Sequence, residues 1–212
     1  MTLWTSWIIL FLCAFSHLQA QEELPFWRQK TKLYNSIKNN RRVVVSVDTI
    51  TKDKVSKIRV NGVGVVNVPM NFAIEQATRF EDLPSVSSYF KKVVHKREKN
   101  EVYFHMRALG FQVRFIKVYK WGHKDNQRAQ LDWHVTWGRL KGMVGHYEFR
   151  KVSPGKTEIV IWATLKKYNI PLPEFMLNFT LEVIAEKVAQ KMRTFIEDSY
   201  RKQAMESADV KK

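Results

Sequence analysis

The sequence predicts an α+β fold in which a curved antiparallel sheet of seven strands wraps around one long C-terminal helix. Seven segments alternate apolar and polar residues as strands do, and hairpin-length breaks separate the last six. The final segment, from Glu174 to about Lys202, instead repeats its apolar residues every three or four positions. Because the sheet and the helix each have one apolar face, each face is expected to cover the other.

The first segment, residues 1–20, reads MTLWTSWIILFLCAFSHLQA and contains no acidic residue, lysine or arginine. Its apolar run from Trp7 to Phe15 is too short to span a bilayer as a helix and ends in small and polar residues. We interpret residues 1–20 as a signal peptide, which predicts a periplasmic or secreted protein; an uncleaved N-terminal anchor is the alternative. Cys13 is the only cysteine, so the exported chain would depend on its hydrophobic core and contain no disulfide.

Residues 21–56 are predicted to form an N-terminal extension outside the sheet. A short amphipathic helix in this extension leads into the β-branched strand RRVVVSVDTI. The main domain, residues 57–203, then begins with the strand KIRVNGVGVVNVP, which Pro69 ends. Two short helices follow in MNFAIEQATRF and EDLPSVSSY.

The middle of the main domain is predicted to be a meander of six strands, because turn-forming residues separate short alternating segments. These predicted strands are residues 90–97, 101–109, 111–121, 128–137, 143–152 and 157–167. The long helix follows, and residues 204–212 are expected to be a disordered tail.

This order of elements is the helix-grip arrangement, and the sequence resembles the Bet v 1-like, START-related superfamily, which includes bacterial polyketide cyclases and coenzyme Q-binding proteins. The resemblance covers roughly residues 57–202. It depends on the element order, on the stretch NVPMNFAIEQATRFEDLP after the first strand, and on the helix entry IPLPEF. The superfamily shares no catalytic signature. Its members often hold sterols, lipids, quinones or polyketides between sheet and helix, so the resemblance implies a hydrophobic ligand.

The stretch LDWHVTWGRLKGMVGHYEF is predicted to be a hairpin in the wall of such a cavity. If GRLKG forms its turn, Trp133 pairs with Tyr147 on the apolar face. The next turn, SPGK, would place Trp162 beside Tyr147 and complete a row of three aromatic rings. A shift of one residue at either turn would break this row.

On the opposite face of this hairpin, His134 and His146 are predicted to lie opposite each other, as are Asp132 and Glu148. Imidazole and carboxylate ligands suit zinc or copper, but no third ligand falls at a convincing spacing, so no metal is predicted. Gly145, between large side chains, indicates either a bend in the sheet or room for a ligand against the backbone.

We expect the cavity to be lined by inward-facing, mostly aromatic strand residues and by the apolar stripe of the long helix. The predicted lining residues are Phe104, Met106, Val113, Phe115, Leu131, Trp133, Val135, Trp137, Tyr147, Phe149, Trp162, Leu177, Leu181 and Ile184. The same side chains could instead fill a solid core. Arg107 and Arg114, which lie beside apolar strand positions, are expected on the exterior; the alternative is that either one pairs with a ligand at the cavity mouth.

The function that follows is a binding or carrier module for a hydrophobic small molecule, without cofactor or nucleic-acid partner, and monomeric. A net charge of +16 permits peripheral contact with an anionic membrane. A cyclase- or hydrolase-like enzyme using the same cavity is one alternative, although no inward carboxylate pair and no Ser-His-Asp set is predicted. A basic interaction protein at an anionic membrane surface is the other.

Overall fold

The computed structural model describes residues 26–39, 42–108, 111–168 and 174–209. The predicted signal peptide, with Cys13, and the last three residues of the predicted tail lie outside these ranges. The chain divides into two compact units, residues 1–35 and 36–212. In the first unit, helix α1 is Phe26–Gln29, and helix α2, Thr31–Asn39, begins there and ends in the second unit.

The second unit contains one antiparallel sheet of eight strands, in the order β1-β2-β8-β7-β6-β5-β4-β3. The strands are β1 Val44–Lys52, β2 Val55–Val66, β3 Phe90–Lys96, β4 Glu101–Ala108, β5 Phe111–Lys124, β6 Arg128–Gly138, β7 Val144–Ser153 and β8 Lys156–Tyr168. The antiparallel meander predicted from the turn residues is therefore confirmed.

The sheet has eight strands and not the predicted seven, because the β-branched strand of the N-terminal extension belongs to it. Strand β1 pairs with β2 along its whole length, from Val44 opposite Val63 to Lys52 opposite Val55. The predicted boundary between residues 56 and 57 thus cuts through a β-hairpin. Its two-residue turn, Asp53 and Lys54, adopts φ values of 51° and 61°, a conformation usually taken by glycine or asparagine. The hairpin therefore lacks the usual sequence signature.

The two short helices after the first main-domain strand are confirmed as helix α3, Met70–Thr78, and helix α4, Leu83–Val86. A single turn of 3₁₀ helix, Phe80–Asp82, joins them. Pro69 stands at the N-cap of α3, where its missing N–H removes no intrahelical hydrogen bond. Helix α3 buries its apolar side on the sheet and on the C-terminal helix.

The C-terminal helix α5, Glu174–Asp209, packs against β1, β2, α3 and α4. Polar contacts fix its position on the sheet. Glu182 accepts a hydrogen bond from the backbone N–H of Val47 (2.8 Å), and Glu197 accepts one from the backbone N–H of Asn67 (2.9 Å). No helix among the described residues is both long enough and apolar enough to cross a membrane.

Candidate functional site

The hairpin of β6 and β7 has its register shifted by two residues from the predicted one. Trp133 pairs with Gly145, and Tyr147 pairs with Leu131. The turn is wider than GRLKG, since the N–H of Val135 already donates to the carbonyl of Met143 (2.8 Å). A shift of two residues leaves every side chain on its predicted face, so Trp133 and Tyr147 still point to the same side.

Gly145 makes room for a neighbouring side chain, a role that the sequence analysis did not predict. A β carbon at this position would lie 2.5 Å from Cζ2 of Trp133 and 2.3 Å from the carbonyl oxygen of Trp162. Both separations are far below van der Waals contact. The glycine therefore lets the Trp133 indole lie flat across β7.

The predicted row of three aromatic rings is wrong, because Trp162 lies on the other face of the sheet. A β-bulge between Lys151 and Ser153 shifts the β7–β8 register by one residue. Trp162 consequently pairs with His146 and stacks on it, with ring centroids 5.5 Å apart. Of the three rings in the predicted row, only those of Trp133 and Tyr147 contact each other, with their centroids 6.0 Å apart.

Trp137 is also misplaced by the sequence prediction, and again a bulge is the cause. Ile116 on β5 pairs with Trp137, whereas the next residue, Lys117, pairs with Val135. Thr136 is therefore an extra residue in β6, which reverses the alternation of faces beyond it. As a result, Trp137 is 52% exposed and contributes nothing to the interior.

The two histidines of the hairpin are not opposite each other as predicted. His134 pairs with Val144 and is exposed, while His146 pairs with Asp132. Within the described ranges, no group of three or more His, Cys, Asp or Glu side chains is placed to hold a metal ion.

A cavity of about 360 Å³ lies between the sheet and α5. Seven of the predicted lining residues do line it: Phe104, Met106, Phe115, Trp133, Val135, Tyr147 and Phe149. The helix contributes small and flexible side chains at Ala185, Val188, Ala189 and Met192. The structure therefore contains an open interior and not the solid core that the same pattern allowed.

The other predicted lining residues lie elsewhere, apart from Leu177, whose side chain is outside the described part. Trp137 and Trp162 face outward, as described above. Leu131 is completely buried in the core, and Val113 packs against that core. Leu181 packs on the cluster of Val47, Ile58 and Leu165, and Ile184 is half-buried outside the cavity wall. The helix packs mainly against β1, the strand that the sequence prediction had left out of the sheet.

The cavity contains one residue that the sequence analysis missed, the buried lysine Lys117. Its side chain follows Val113 and Phe115 in the inward alternation of β5 and is only 4% exposed. Its Nζ atom lies 4.0 Å from the ring centroid of Phe80, 5.0 Å from that of Tyr147 and 5.2 Å from that of Phe104. The alternation of β5 alone identifies this position as inward, since Lys117 follows Val113 and Phe115 at intervals of two residues.

Burial controls the protonation of Lys117. Desolvation lowers the pKa of its amine to about 7, since removal from water disfavours the charged form. Its hydrogen-bond partner is the hydroxyl of Tyr147, at 3.5 Å, and no ion pair to Lys117 is present among the described residues. Burial likewise raises the pKa of Tyr147 to about 12, so this hydroxyl keeps its proton at neutral pH.

A polar network behind Phe80 fixes the ring that covers Lys117. His95 hydrogen-bonds through one ring nitrogen to Glu81 (3.0 Å) and through the other to the hydroxyl of Tyr119 (2.7 Å). The Phe80 ring packs against both His95 and Tyr119. Burial opposes ionisation of Glu81, but hydrogen bonds from its backbone, His95 and Arg97 outweigh it and lower the pKa to about 2.

The arginines that were considered for the cavity mouth, Arg107 and Arg114, are both exposed. Arg193 on α5 is the arginine that lines the cavity, and its guanidinium donates to Glu197 at 3.2 Å. Among the described lining residues, Lys117, Trp133, Tyr147 and Arg193 alone carry a side-chain nitrogen or oxygen.

No protein-family model and no curated protein matches this sequence, but solved structures do. A START superfamily protein from Mycobacterium smegmatis matches with a TM-score of 0.56 and 14% identity, over 66% of this chain and 97% of that one. A STAR-related lipid transfer protein from Xanthomonas axonopodis matches with a TM-score of 0.53 and 6% identity, over 71% of this chain and 98% of that one. An aromatase/cyclase from Streptomyces matches with a TM-score of 0.52 and 11% identity, over 70% of this chain and 96% of that one. At these identities the likeness establishes a shared fold.

Proposed function

We propose that this chain, which has the helix-grip fold of the START superfamily, is a binding or carrier protein for a hydrophobic small molecule. The observation that carries the proposal is the cavity of about 360 Å³, whose wall is apolar except for four side chains. A volume of this size falls in the range of small-molecule sites. The lipid transfer protein and the aromatase/cyclase that share the fold support the same class of ligand.

The energetics of the cavity support an occupant. An empty apolar cavity forfeits the dispersion contacts of its lining, which amounts to several kcal/mol for a volume on the order of hundreds of Å³. The helix face that borders the cavity nevertheless carries the small residues Ala185 and Ala189, where larger side chains would fill the space. A ligand with an apolar body would restore those contacts.

Lys117 and Tyr147 favour an enzyme as the second candidate function. An amine with a pKa of about 7 can accept a proton near neutral pH, as a cyclase-like reaction would require. The carrier remains our proposal, because no carboxylate or histidine accompanies the lysine among the described lining residues.

We further propose that the protein acts outside the cytosol after removal of residues 1–20, where its net charge of +16 would favour peripheral contact with anionic lipid. Intact-mass analysis of the exported protein should then find a chain that begins at Gln21. A mature chain that still contains Trp4 and Trp7 would establish the anchored alternative.

Ligand binding should depend on Trp133 and not on Trp137. Lauryl alcohol, a neutral probe, is expected to change the tryptophan fluorescence of the wild-type protein as it enters the cavity. Trp133→Ala should weaken its binding by about 1–3 kcal/mol, because the substitution removes apolar area and ring contacts from the wall. Trp137→Ala is the matched control, since this ring is 52% exposed on the outside.

The comparison should be made by calorimetry on variants that circular dichroism shows to be folded. Equal binding by both variants would mean that the probe does not enter the cavity. Native mass spectrometry of the purified wild-type protein offers an independent test, because a carrier is expected to retain a co-purifying lipid-like molecule.

A further inference from the structure

We propose that the ligand is a hydrophobic carboxylic acid whose carboxylate pairs with Lys117 inside the cavity while its apolar part lies along the remaining wall. This inference rests on the proposed function and names the chemical class of the ligand. The polar side chains of the cavity wall support this ligand class, because a purely apolar ligand would offer them no hydrogen-bond acceptor.

Lys117 has too few hydrogen-bond acceptors among the described residues. An ammonium group has three N–H donors, and here the Tyr147 hydroxyl takes one of them at the long distance of 3.5 Å. The rings of Phe80, Phe104 and Trp133 provide cation–π contacts, with the nearest at 4.0 Å. Such contacts compensate only part of the lost hydration, so a buried charge of this kind is stabilised strongly by an anion.

The polar side chains of Trp133 and Tyr147, which lie near Lys117, carry hydrogen-bond donors as well. The indole Nε1 of Trp133 is buried and has no hydrogen-bond partner among the described residues, and Trp133 itself, in the wall of the cavity, is only 8% exposed. The Tyr147 hydroxyl accepts from Lys117 and keeps its own proton to donate. The amine of Lys117, the indole N–H of Trp133 and the hydroxyl of Tyr147 are therefore all donors, and their side chains contact one another. The complementary ligand group is one that only accepts hydrogen bonds, such as a carboxylate.

Two carboxylates border this region, those of Glu81 and Glu197, and both have other partners. Glu81 lies behind Phe80 and is engaged by His95 and Arg97. Glu197, beside the cavity on α5, accepts from Arg193 and from Asn67. No carboxylate of the described chain is within ion-pair distance of Lys117, so the acceptor has to come with the ligand.

This arrangement makes binding depend on pH in a predictable direction. Among the described residues, the titratable groups that contact Lys117 or lie behind its Phe80 neighbour are Tyr147, His95, Tyr119 and Glu81, and Arg193 on α5 lines the same cavity. A bound carboxylate favours the ammonium form and raises the pKa of Lys117 from its value of about 7 in the empty cavity. Binding above neutral pH therefore takes up a proton and weakens as the pH rises, by up to about tenfold per pH unit.

The test compares lauric acid with lauryl alcohol, two probes with the same apolar chain that differ in the head group. Calorimetry at about pH 6.5 should give the wild-type protein an affinity for the acid at least about tenfold higher than for the alcohol. Lys117→Met should abolish this preference, so that its affinities for the acid and the alcohol differ by less than about twofold. The control is Lys166→Met, because Lys166 is exposed on β8, and this variant should behave like the wild-type protein.

The wild-type protein supplies a second measurement that needs no variant. Titrations of lauric acid at about pH 8 in buffers of different ionisation enthalpy should reveal proton uptake, whereas lauryl alcohol should show none. Equal affinities for the acid and the alcohol, or acid binding without proton uptake, would overturn the carboxylate proposal and leave the carrier function standing. If neither probe binds, the proposed function itself is wrong.

Discussion

Replacing Lys117 with methionine is expected to raise the free energy of unfolding of the unliganded protein by about 2–4 kcal/mol at neutral pH. A lysine amine has a pKa of about 10.4 in an unfolded chain, whereas burial lowers it to about 7 in the folded protein. Each unit of that difference opposes folding by about 1.4 kcal/mol. Methionine fills a similar volume beside the rings without a charge, but it removes the hydrogen bond to Tyr147, which offsets part of the gain.

The pH dependence distinguishes this effect from simple repacking. The folded-state pKa of Lys117 lies below the unfolded-state value, so its destabilising effect is complete below about pH 7. The effect is relieved as the pH rises toward about 10.4, because the unfolded chain then also loses the proton. The stability difference between Lys117→Met and the wild-type protein should shrink over this window. Chemical denaturation at about pH 6.5, 8 and 9.5 measures it.

The control for this experiment is Lys166→Met, which replaces an exposed lysine and should change the free energy of unfolding by less than about 0.5 kcal/mol. A lower stability of Lys117→Met at every pH would contradict the prediction. The contacts of the lysine would then stabilise the fold by more free energy than its desolvation costs.

Replacing Gly145 with alanine is expected to lower the free energy of unfolding by about 3 kcal/mol. The added methyl group would lie 2.3 Å from the carbonyl oxygen of Trp162 and 2.5 Å from the Trp133 indole. A side chain can move away, but the carbonyl belongs to the paired strand β8, so the clash must separate the strands or displace the backbone. The displaced indole should also reshape the cavity, and Gly145→Ala is expected to bind lauryl alcohol more weakly.

Gly155→Ala is the matched control, because Gly155 lies in the turn between β7 and β8 and a β carbon there would meet nothing within 4 Å. This substitution should leave the stability unchanged or raise it by up to about 1 kcal/mol through the unfolded chain. Denaturant titration of both variants decides the matter. Equal stabilities would show that the sheet accommodates a side chain beneath Trp133.

The local patterns of the sequence predicted which face of each strand is apolar, and this prediction failed only at bulges. Phe104, Phe115 and Tyr147 line the cavity because regular alternation carries them there. Trp137 and Trp162 do not: Thr136 is an extra residue beside Trp137 in β6, and a bulge between Lys151 and Ser153 in β7 shifts the pairing of β8, with Trp162, by one residue. A bulge of this kind depends on how two strands pair, so the sequence of either strand alone does not predict it.

The N-terminal strand was misassigned for a related reason. Val44–Lys52 has the composition of a strand, and its existence was predicted correctly. Its place in the sheet depends on the turn at Asp53 and Lys54, where a positive φ is common for aspartate but not expected of lysine. Pairing with β2, and the packing of α5 over that edge, stabilise the turn from a distance.

The sequence by itself determined the helix-grip fold and the order of its elements, because period-two and period-3.6 patterns are local properties of the chain. Only the tertiary structure decided that the interior is open and that a lysine stands in it. Whether inward side chains fill a space depends on the distance and rotation between sheet and helix, which packing sets across the whole domain. The pKa of Lys117 is decided at the same level, because its desolvation is produced by Phe80, Phe104, Trp133 and Tyr147, which come from four different parts of the chain.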